Sequence, residues 1–424
     1  MCGRQMNIVI FEDDLHDGFY PLSLTRPLWE LKSGLFSFRE RLELFVGREK
    51  GLSGSRVHFF TRDYLVPWYR ERCPGVSIND YSVFESGGDI LCINALKYVS
   101  RSDFGIEANS AVVMGPVPVL ARVSNPGSKP TGSIANWIMK LGLKMTDYYG
   151  EYEKPGSGRK ANFIWELVDW NGDAIRDDFV LAALRGRKRK DVTIIGDPGH
   201  LFCEDGVTFE PHAVVDAASG PVFIGSGTKV RAFTRIEGPC CIGRNCLLAG
   251  VKISGSTLGP VSRVGGEVEQ SIFQGYSNKY HEGFIGHSYI GEWVNMGALT
   301  TNSDLKNDYT NVKVYTPDSR KKTGLKKVGC FMGDFVKTSI GTLINTGSSI
   351  GPCSMLVHMG GLTPFHIPPF SWYINGAVYK TILLEDFLAT AREVMSRRGF
   401  NFTDTFVSFI TGIHALREPA GEKQ

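Results

Sequence analysis

The sequence predicts an α/β domain built on a parallel sheet, followed by a parallel β-helix and a C-terminal capping helix. Three observations support this prediction. Strand-like and helix-like segments alternate in the first part of the chain, aliphatic residues then recur at every sixth position, and an amphipathic segment follows a proline-rich stretch near the end. The predicted domains cover residues 1–190, 191–375 and 376–424.

The first domain is predicted from short apolar runs bounded by turn residues, which are typical of strands. These runs are "NIVIFE", "RVHFF" and "DILCIN". Between the first two, "SFRERLELFVG" has Ser37 and Glu40 at the spacing of a helix capping box and ends at Gly47. Because strands that alternate with helices usually form parallel sheets with helical crossovers, we expect a Rossmann-like α/β domain.

The second domain is predicted from a period of six residues. The repeat begins with Ile224, Val230, Ile236, Ile242 and Leu248. It continues through the Ile-Gly, Leu-Gly and Val-Gly pairs of residues 258–291 and returns between residues 332 and 356. A period of six fits neither a helix nor an ordinary strand, but it is typical of hexapeptide β-helix repeats. Each repeat contributes one inward aliphatic side chain, which only the neighbouring coils can bury.

Two further segments complete the predicted architecture. A charged insertion between Asn302 and Val328 interrupts the repeat, and loops of this length are usually functional or disordered. Near the end, "LLEDFLATAREVM" places its apolar residues on one helical face, and Gly399 is positioned to end that helix. We therefore expect a helix that caps the end of the solenoid.

Composition excludes several classes of protein. The 424-residue chain has a formal net charge of only +3, which does not indicate a nucleic-acid or membrane-surface partner. No apolar stretch is long enough to span a bilayer and no N-terminal segment resembles a signal peptide, so we expect a soluble, cytoplasmic protein. The nine cysteines include no Cys-x-x-Cys spacing, which argues against a disulfide framework or a zinc knuckle. The start "MCG" resembles that of amidotransferases with an N-terminal nucleophile, but the strand-like run that follows disfavours this interpretation.

The solenoid contains a motif with specific spacing. The stretches "YHEGFIGHSYIG" and "VNMGAL" resemble the G-H-x-x-Y-x-G, Ile-Gly and N-I-G-A-G elements of a bifunctional family. That family acetylates glucosamine 1-phosphate and then uridylates N-acetylglucosamine 1-phosphate. The resemblance implies a left-handed β-helix, acetyl-CoA as cosubstrate, sugar-phosphate and nucleotide substrates, and a homotrimer with active sites between subunits.

The resemblance also assigns roles to individual residues of this stretch. His281 falls on the catalytic base, which removes a proton as the amine attacks a thioester, a role suited to imidazole. Asn295 falls on the sugar-binding asparagine, and Ala298 on the alanine whose backbone lies against the acetyl thioester. Asn302 is a looser match to an asparagine that orients the base. Because the family's basic phosphate ligand is missing here, we expect Lys279 to bind phosphate.

Departures from the family pattern also occur in this stretch. Phe284 replaces a tyrosine, Leu299 replaces a glycine, and Glu269 or Gln270 stands where a basic residue is expected. His287 occupies a variable turn position, and we predict that it is an ordinary corner residue.

The N-terminal domain resembles sugar nucleotidyltransferases less completely. The stretch "FYPLSLTRPLWELKSG" keeps the second half of their signature, with Arg26 and Lys32 as candidate substrate-binding cations. However, "FEDDLHDGFY" stands where a glycine-rich loop should cradle a triphosphate, and Asn94 stands where a carboxylate should bind Mg²⁺. A group of bacterial two-domain, nucleotidyltransferase-like proteins shares this altered start. We expect nucleotidyl transfer to be weak or absent, with Mg²⁺ as a possible ligand of this domain.

Three functions remain open from the sequence. The leading hypothesis is an acetyl-CoA-dependent N-acetyltransferase for an amino-sugar phosphate, joined to a sugar-phosphate nucleotidyltransferase-like domain, in the biosynthesis of sugar nucleotides of the UDP-N-acetylglucosamine type. The second is a non-catalytic sugar-nucleotide binding or regulatory protein. The third is an acyltransferase that uses another acyl donor, such as an acyl carrier protein.

Overall fold

The computed structural model describes residues 6–52, 54–148, 158–357 and 360–416. They form two compact units. The N-terminal unit comprises the described residues of 1–18, 26–31 and 36–162, and the solenoid unit comprises those of 19–25, 32–35 and 163–424. Cys2 and the last eight residues of the predicted C-terminal tail lie outside the described residues.

The N-terminal unit is an α/β layer. Four parallel strands lie side by side in the order 77–78, 56–59, 7–11 and 89–94, and an antiparallel strand follows them. Three helices accompany the sheet in the described residues, and Ser37 and Glu40 form the predicted capping box at the start of the first. The strands are Asn7–Phe11, Arg56–Phe59, Ser77–Ile78, Asp89–Asn94, Ser110–Met114, Val117–Ser124 and Lys144–Asp147, and the helices are Phe38–Arg48, Val66–Arg72 and Ile134–Lys140.

The solenoid unit is a parallel β-helix. Short strands pair in parallel with the strand one coil further along the chain, so each face of the solenoid is a ladder of strands. One face contains Thr193–Ile195, Val214–Asp216, Arg235–Glu237, Leu247–Ser254, Arg263–Glu269, Asn278–Lys279, Asn295–Met296, Lys337–Thr338, Met355–Val357, Ser371–Ile374 and the antiparallel Ala377–Thr381, with Thr208–Phe209, Lys229–Val230 and Phe284–Gly286 pairing beside it. A second contains Leu201–Cys203, Val222–Ile224, Cys240–Ile242, Thr257–Leu258, Ile272–Gly275, Tyr289–Glu292, Phe331–Met332, Ser349–Ile350 and His366–Ile367. A third ladder joins Thr301–Asn302 to Leu343–Ile344.

The predicted inward positions form one continuous core. The side chains of Ile224, Val230, Ile236, Ile242 and Leu248 are at most 1% exposed. The later positions of the repeat are equally buried, apart from Thr338 at 7%. Since every coil buries its aliphatic residues against its neighbours, the six-residue period translates directly into this core.

One corner of the solenoid carries large aromatic residues in a left-handed backbone conformation. Tyr276, Trp293, Phe335 and Phe370 have φ angles of 55°, 62°, 64° and 54°. The rings of Tyr276 and Trp293 stack at 4.6 Å, and those of Trp293 and Phe335 at 5.9 Å. Two helices, Leu384–Ser396 and Asp404–Ala415, pack on this corner, for example through Phe387, whose ring lies 5.4 Å from that of Phe335.

The charged insertion forms a packed hairpin. Its strands Lys313–Tyr315 and Arg320–Lys322 pair antiparallel. The Tyr315 ring stacks on His366 at 3.7 Å, and the guanidinium of Arg320 lies 3.9 Å from the centre of the Phe365 ring. The hairpin therefore packs on the last coils of the solenoid.

The fold class predicted from the sequence is confirmed, with two additions. Helix Asp404–Ala415 was not predicted, although Phe406, Phe409, Ile410 and Ile413 carry its helical spacing. Helices Ile164–Asp169 and Asn171–Leu181 lie in the solenoid unit, as do residues 19–25 and 32–35. Among the helices of the described ranges, none has the length and apolarity needed to cross a membrane.

Candidate functional site

Two neighbouring turns of the solenoid bring His281 and Ala298 together. His281 follows strand Asn278–Lys279, and its side chain is exposed with the Tyr280 ring edge-on at 5.3 Å. The amide of Leu299 donates a 2.8 Å hydrogen bond to the carbonyl of Glu282, which fixes the turn after His281 against the turn after Ala298. The two residues therefore lie at the same corner on adjacent coils.

Asn295 belongs to the same pair of coils. Its strand pairs in register with Asn278, and the Asn278 amide donates to Asn295 Oδ1 at 2.7 Å. The Asn295 side chain is exposed, and Asn278 lies only three residues before His281. His281, Asn295 and Ala298, which the family resemblance assigns to one site, thus lie on two adjacent coils, with Asn295 beside Asn278.

Lys279 and Asn302 are engaged inside the solenoid. The Lys279 side chain is 2% exposed, and its Nζ donates to the carbonyls of Gly265 and His281, both at 2.9 Å. Burial lowers the pKa of Lys279 to about 8, against the opposing effect of Glu282. Asn302 is buried and makes two hydrogen bonds to the backbone of Gly286. Its Oδ1 accepts from the Gly286 amide at 2.9 Å, and its Nδ2 donates to the Gly286 carbonyl at 3.0 Å. In this conformation Lys279 supports the turn that carries His281, and Asn302 joins two coils.

A second histidine has an acidic partner that the sequence reasoning missed. His287 is 8% exposed, and its Nδ1 lies 2.8 Å from Asp304 Oδ2. Burial raises the pKa of Asp304, but the hydrogen bond and charge of His287 outweigh it and hold that pKa below its usual range. The sequence did carry a signal for this pair, because the two residues are 17 positions apart, as are other coil-to-coil neighbours such as Asn278 and Asn295.

The strand ends of the N-terminal unit hold a buried ion pair. Asp13 follows strand Asn7–Phe11 and lies near Asn94 at the end of the adjacent strand. Asp13 Oδ2 accepts from Asn94 Nδ2 at 2.8 Å and is paired with Lys160 Nζ at 3.1 Å. The Lys160 side chain is fully buried, and it also donates to Asn162 Oδ1 at 3.0 Å.

This arrangement does not fit Mg²⁺. The ammonium of Lys160 already neutralises Asp13, and Asn94 donates its amide to that carboxylate, so the group has no charge left for a cation. Within the described ranges, no cluster of three or more His, Cys, Asp or Glu side chains could hold a metal ion. No step through Mg²⁺ follows from these residues.

The segment that replaces a glycine-rich loop is also acidic. Glu12 accepts from the Leu28 amide at 2.6 Å, from Thr61 Oγ1 at 2.9 Å and from Arg62 Nε at 3.0 Å. A cavity of about 220 Å³ beside it is lined by four carboxylates, Glu12, Asp13, Asp14 and Asp63, and by one arginine, Arg62. Glu12 is paired with Arg62 and Asp13 with Lys160, but Asp14 and Asp63 add further negative charge to this lining, which disfavours a triphosphate.

Arg26 and Lys32, the two candidate cations of the signature, fall in different units. Arg26 is 1% exposed, and its carbonyl accepts from Arg62 at 2.8 Å. Lys32 is half-buried, and its backbone amide and carbonyl both bond the hydroxyl of Tyr289, at 2.8 and 2.9 Å.

Comparisons with known proteins match both parts of the chain. Residues 8–187 match a family model described as sugar nucleotidyl transferase. A bifunctional sugar-1-phosphate nucleotidylyltransferase/acetyltransferase of Sulfurisphaera tokodaii is 38% identical over 85 residues, 20% of this chain and 21% of the relative. The bifunctional protein GlmU of Paraburkholderia phytofirmans is 36% identical over 120 residues, 27% of this chain and 25% of the relative. An uncharacterized acetyltransferase, YaiX, of Escherichia coli is 26% identical over 166 residues, 36% of this chain and 68% of the relative.

These matches confirm the resemblance inferred from the motifs. They span only 21% and 25% of the length of the first two relatives, so the activity of the whole protein remains a proposal. The solved structure of the polysialic acid O-acetyltransferase OatWY aligns with 45% of this chain and 92% of its own at 11% identity, with a TM-score of 0.24.

Proposed function

We propose that the solenoid transfers an acetyl group from acetyl-CoA to the amine of an amino-sugar phosphate, with His281 as general base. The observation that carries this proposal is the convergence of His281, Asn295 and Ala298 on adjacent coils, held by the 2.8 Å bond from Leu299 to Glu282. The acetyltransferase names of the relatives support the same reaction class.

The chemistry follows from what the exposed groups can do. The substrate nitrogen attacks the thioester carbonyl, forms the new C–N bond and must lose one proton to become a neutral amide. The imidazole of His281 accepts that proton. When the C–S bond breaks, the imidazolium returns the proton to the leaving sulfur, so that CoA is released as its thiol. Asn295 offers an exposed amide that can bind sugar hydroxyls. The backbone of Ala298 would lie against the acetyl thioester.

Exposed apolar residues beside Ala298 support assembly into a homotrimer. Leu299 is 60% exposed and Ile340 is 68% exposed. The amide of Gly341 donates to the Ala298 carbonyl at 2.8 Å, which places Ile340 on the coil next to that turn. Leu362, 55% exposed, lies further along the same side through its bridge to Leu343. We propose that partner subunits cover this apolar strip and complete the site.

For the N-terminal unit we propose sugar-phosphate or nucleotide recognition with weak or absent nucleotidyl transfer. Its match to the sugar nucleotidyl transferase model supports the ligand class, whereas the Asp13–Lys160 pair disfavours metal-dependent chemistry. The whole protein would then act in the cytoplasm, in the biosynthesis of sugar nucleotides of the UDP-N-acetylglucosamine type.

The test is an acetyl-transfer assay with the full chain. Acetyl-CoA and glucosamine 1-phosphate should together release CoA thiol, and omission of either should abolish the release. Parallel reactions with other amino-sugar phosphates and with acyl carrier protein thioesters would identify the substrate and donor. If no amino-sugar phosphate stimulates thiol release from any donor, a binding or regulatory role replaces the enzyme.

A further inference from the structure

The solenoid unit contains a cavity of about 350 Å³ with an unbalanced charge. Its lining contains four cations, Arg263, Lys337, Arg397 and Arg398, and the amides of Asn278 and Asn295. None of its lining residues is a carboxylate. The cavity lies where helix Leu384–Ser396 ends against the ladder of strands that contains Asn295.

Strand register builds one wall of this cavity. Arg263, Asn278, Asn295 and Lys337 are consecutive partners in the same ladder. Because neighbouring strands lie about 4.8 Å apart, two amides are stacked between two cations over about 14 Å. The helix end contributes the other two cations, Arg397 and Arg398.

Lys337 is the least expected member of this group. Its Nζ is buried and has no hydrogen-bond partner in the described structure. Buried ammonium groups are normally paired, because an unpaired one loses its hydration without compensation. Two other buried lysines satisfy that rule, since Lys160 contacts Asp13 and Lys279 contacts two carbonyls.

The helix end accounts for only part of the charge. Arg397 and Arg398 follow the C-terminus of a helix, where cations are favourable. Arg263 and Lys337 lie on solenoid strands and do not belong to that helix. Burial lowers the pKa of Arg398, and the charges of Arg263 and Arg397 lower it further. The three arginine side chains therefore repel one another, and burial disfavours the charged form of Lys337.

We propose that this cavity binds the phosphate or diphosphate group of a small-molecule ligand. Phosphate oxygens accept hydrogen bonds from arginine forks and from a lysine ammonium, and their two or three negative charges would offset the repulsion. The amides of Asn278 and Asn295 can hold neighbouring hydroxyl groups of the same ligand. The Trp293 ring is stacked between Tyr276 and Phe335, so it is not available to stack on a base, and we expect the phosphate group to be the part of the ligand that this cavity recognises.

The test measures pyrophosphate binding to the full chain by calorimetry at low ionic strength. Lys337→Met removes the buried ammonium and keeps the apolar stem, and it should weaken binding at least tenfold. Lys229→Met, a matched change of an exposed lysine on another coil, should leave the affinity within twofold of the parent. Arg263→Gln, an exposed side chain at the rim, provides a second variant should Lys337→Met fail to fold, and it should also weaken binding.

The source of the phosphate group is resolved by competition. Glucosamine 1-phosphate, CoA and ADP, each added against pyrophosphate, would distinguish a sugar phosphate from a nucleotide. Failure of the parent chain to bind pyrophosphate at millimolar concentration, or equal losses in Lys337→Met and Lys229→Met, would overturn the proposal. Asn295 belongs both to this cavity and to the proposed acetyl-transfer site. Neither measurement requires acetyl transfer, so a failure of phosphate binding and a failure of the proposed catalysis can be distinguished.

Discussion

Two regions of this molecule carry residues that we expect to act on substrates. In one region these side chains are bonded to other side chains, and in the other they are exposed. At the strand ends of the N-terminal unit, Asp13 is held by Asn94 and Lys160 in a buried cluster. At the corner of the solenoid, the side chains of His281 and Asn295 are exposed. No hydrogen bond to the His281 ring occurs among the described residues.

The difference shows that residue type and position in a motif do not by themselves make a site. A carboxylate that is neutralised by a buried ammonium contributes to stability, because separating the pair would leave an unpaired buried charge. An exposed imidazole contributes little to stability and is available for proton transfer. Substitutions in the two regions should therefore have opposite consequences for folding and for activity.

The largest expected effect is on catalysis at the solenoid corner. His281→Ala removes the proposed proton acceptor, and general-base catalysis typically contributes about 10²–10⁴-fold. The rate of acetyl transfer should fall by that order, while the melting temperature changes little because the side chain is exposed. Thiol release and thermal unfolding, measured on the same preparations, check both expectations.

His287→Ala is the matched control for this substitution. His287 is buried against Asp304, so its loss should lower the melting temperature more than the loss of His281 does. Its effect on the rate should be smaller. If the rate of acetyl transfer falls by that order in His287→Ala and not in His281→Ala, the general base is His287, which is paired with Asp304.

The next effect in size is on stability in the N-terminal unit. Asp13→Asn keeps the shape of the side chain but leaves the Lys160 ammonium buried without a counter-ion. Breaking a buried pair from one side typically costs about 3–5 kcal/mol. Chemical denaturation should show that loss in the transition that reports this unit, with acetyl transfer by the solenoid preserved.

Two further variants isolate the pair. Asp14→Asn changes an exposed neighbour and should cost well under 1 kcal/mol. Asp13→Asn combined with Lys160→Met removes both charges and should recover part of the loss, as a double-mutant cycle would reveal. Additive losses in the double variant would show that the two side chains do not interact.

The sequence predicts some levels of this structure better than others. The inward aliphatic residues of the solenoid were predictable one by one, because each coil repeats the same local contact, as at Ile236 and Ile242. The capping box at Ser37 was predictable for the same reason, since both partners lie within one turn. In contrast, the membership of residues 19–25 and 32–35 in the solenoid unit could not be predicted from the sequence. It depends on contacts such as that of Lys32 with Tyr289, 257 positions away.

The candidate site follows the same rule. His281 lies beside Ala298, and Asn278 beside Asn295, because the strand register brings equivalent positions of two coils together, and the motif spacing contained that register. The hydrogen bonds from Lys279 Nζ to two backbone carbonyls could not be predicted from the sequence, because they depend on the side chain turning inward at a particular strand position. The pairing of Asp13 with Lys160 joins positions far apart in the chain and carries no local pattern.

A smaller effect on stability is expected on acidification. Burial lowers the pKa of His366 from 6.5 to about 4, so between these values the unfolded chain binds a proton that the folded protein does not. This contribution is present above pH 6.5 and is lost as the pH falls towards 4. It amounts to at most about 3.4 kcal/mol.

His366→Phe separates this contribution from that of other groups. The phenyl ring can still stack on Tyr315 but cannot titrate, so the variant should lose less stability than the parent between pH 7 and pH 4.5. Denaturant unfolding at the two pH values gives the comparison. His212→Phe, at an exposed position, should behave like the parent. An identical pH dependence in parent and His366→Phe would place the acid sensitivity elsewhere.

The smallest expected effect is that of Mg²⁺ on the N-terminal unit. The residues at its strand ends offer a carboxylate already paired with Lys160 and an amide that donates rather than accepts, so added Mg²⁺ should leave the melting temperature unchanged. With UTP and N-acetylglucosamine 1-phosphate, the chain should form a UDP-sugar slowly or not at all, as phosphate release in a pyrophosphatase-coupled assay would measure.

Asn94→Asp alone should not restore the reaction, because the new carboxylate would face the same buried ammonium. Robust Mg²⁺-dependent synthesis by the parent chain would contradict this reasoning, and it would mean that Asp13 exchanges Lys160 for the metal or that Asp14 or another carboxylate has taken over the role. In that event the Asp13–Lys160 pair would be only one state of the N-terminal unit, and these residues would become available to substrates when the pair separates, whereas His281 and Asn295 are already exposed.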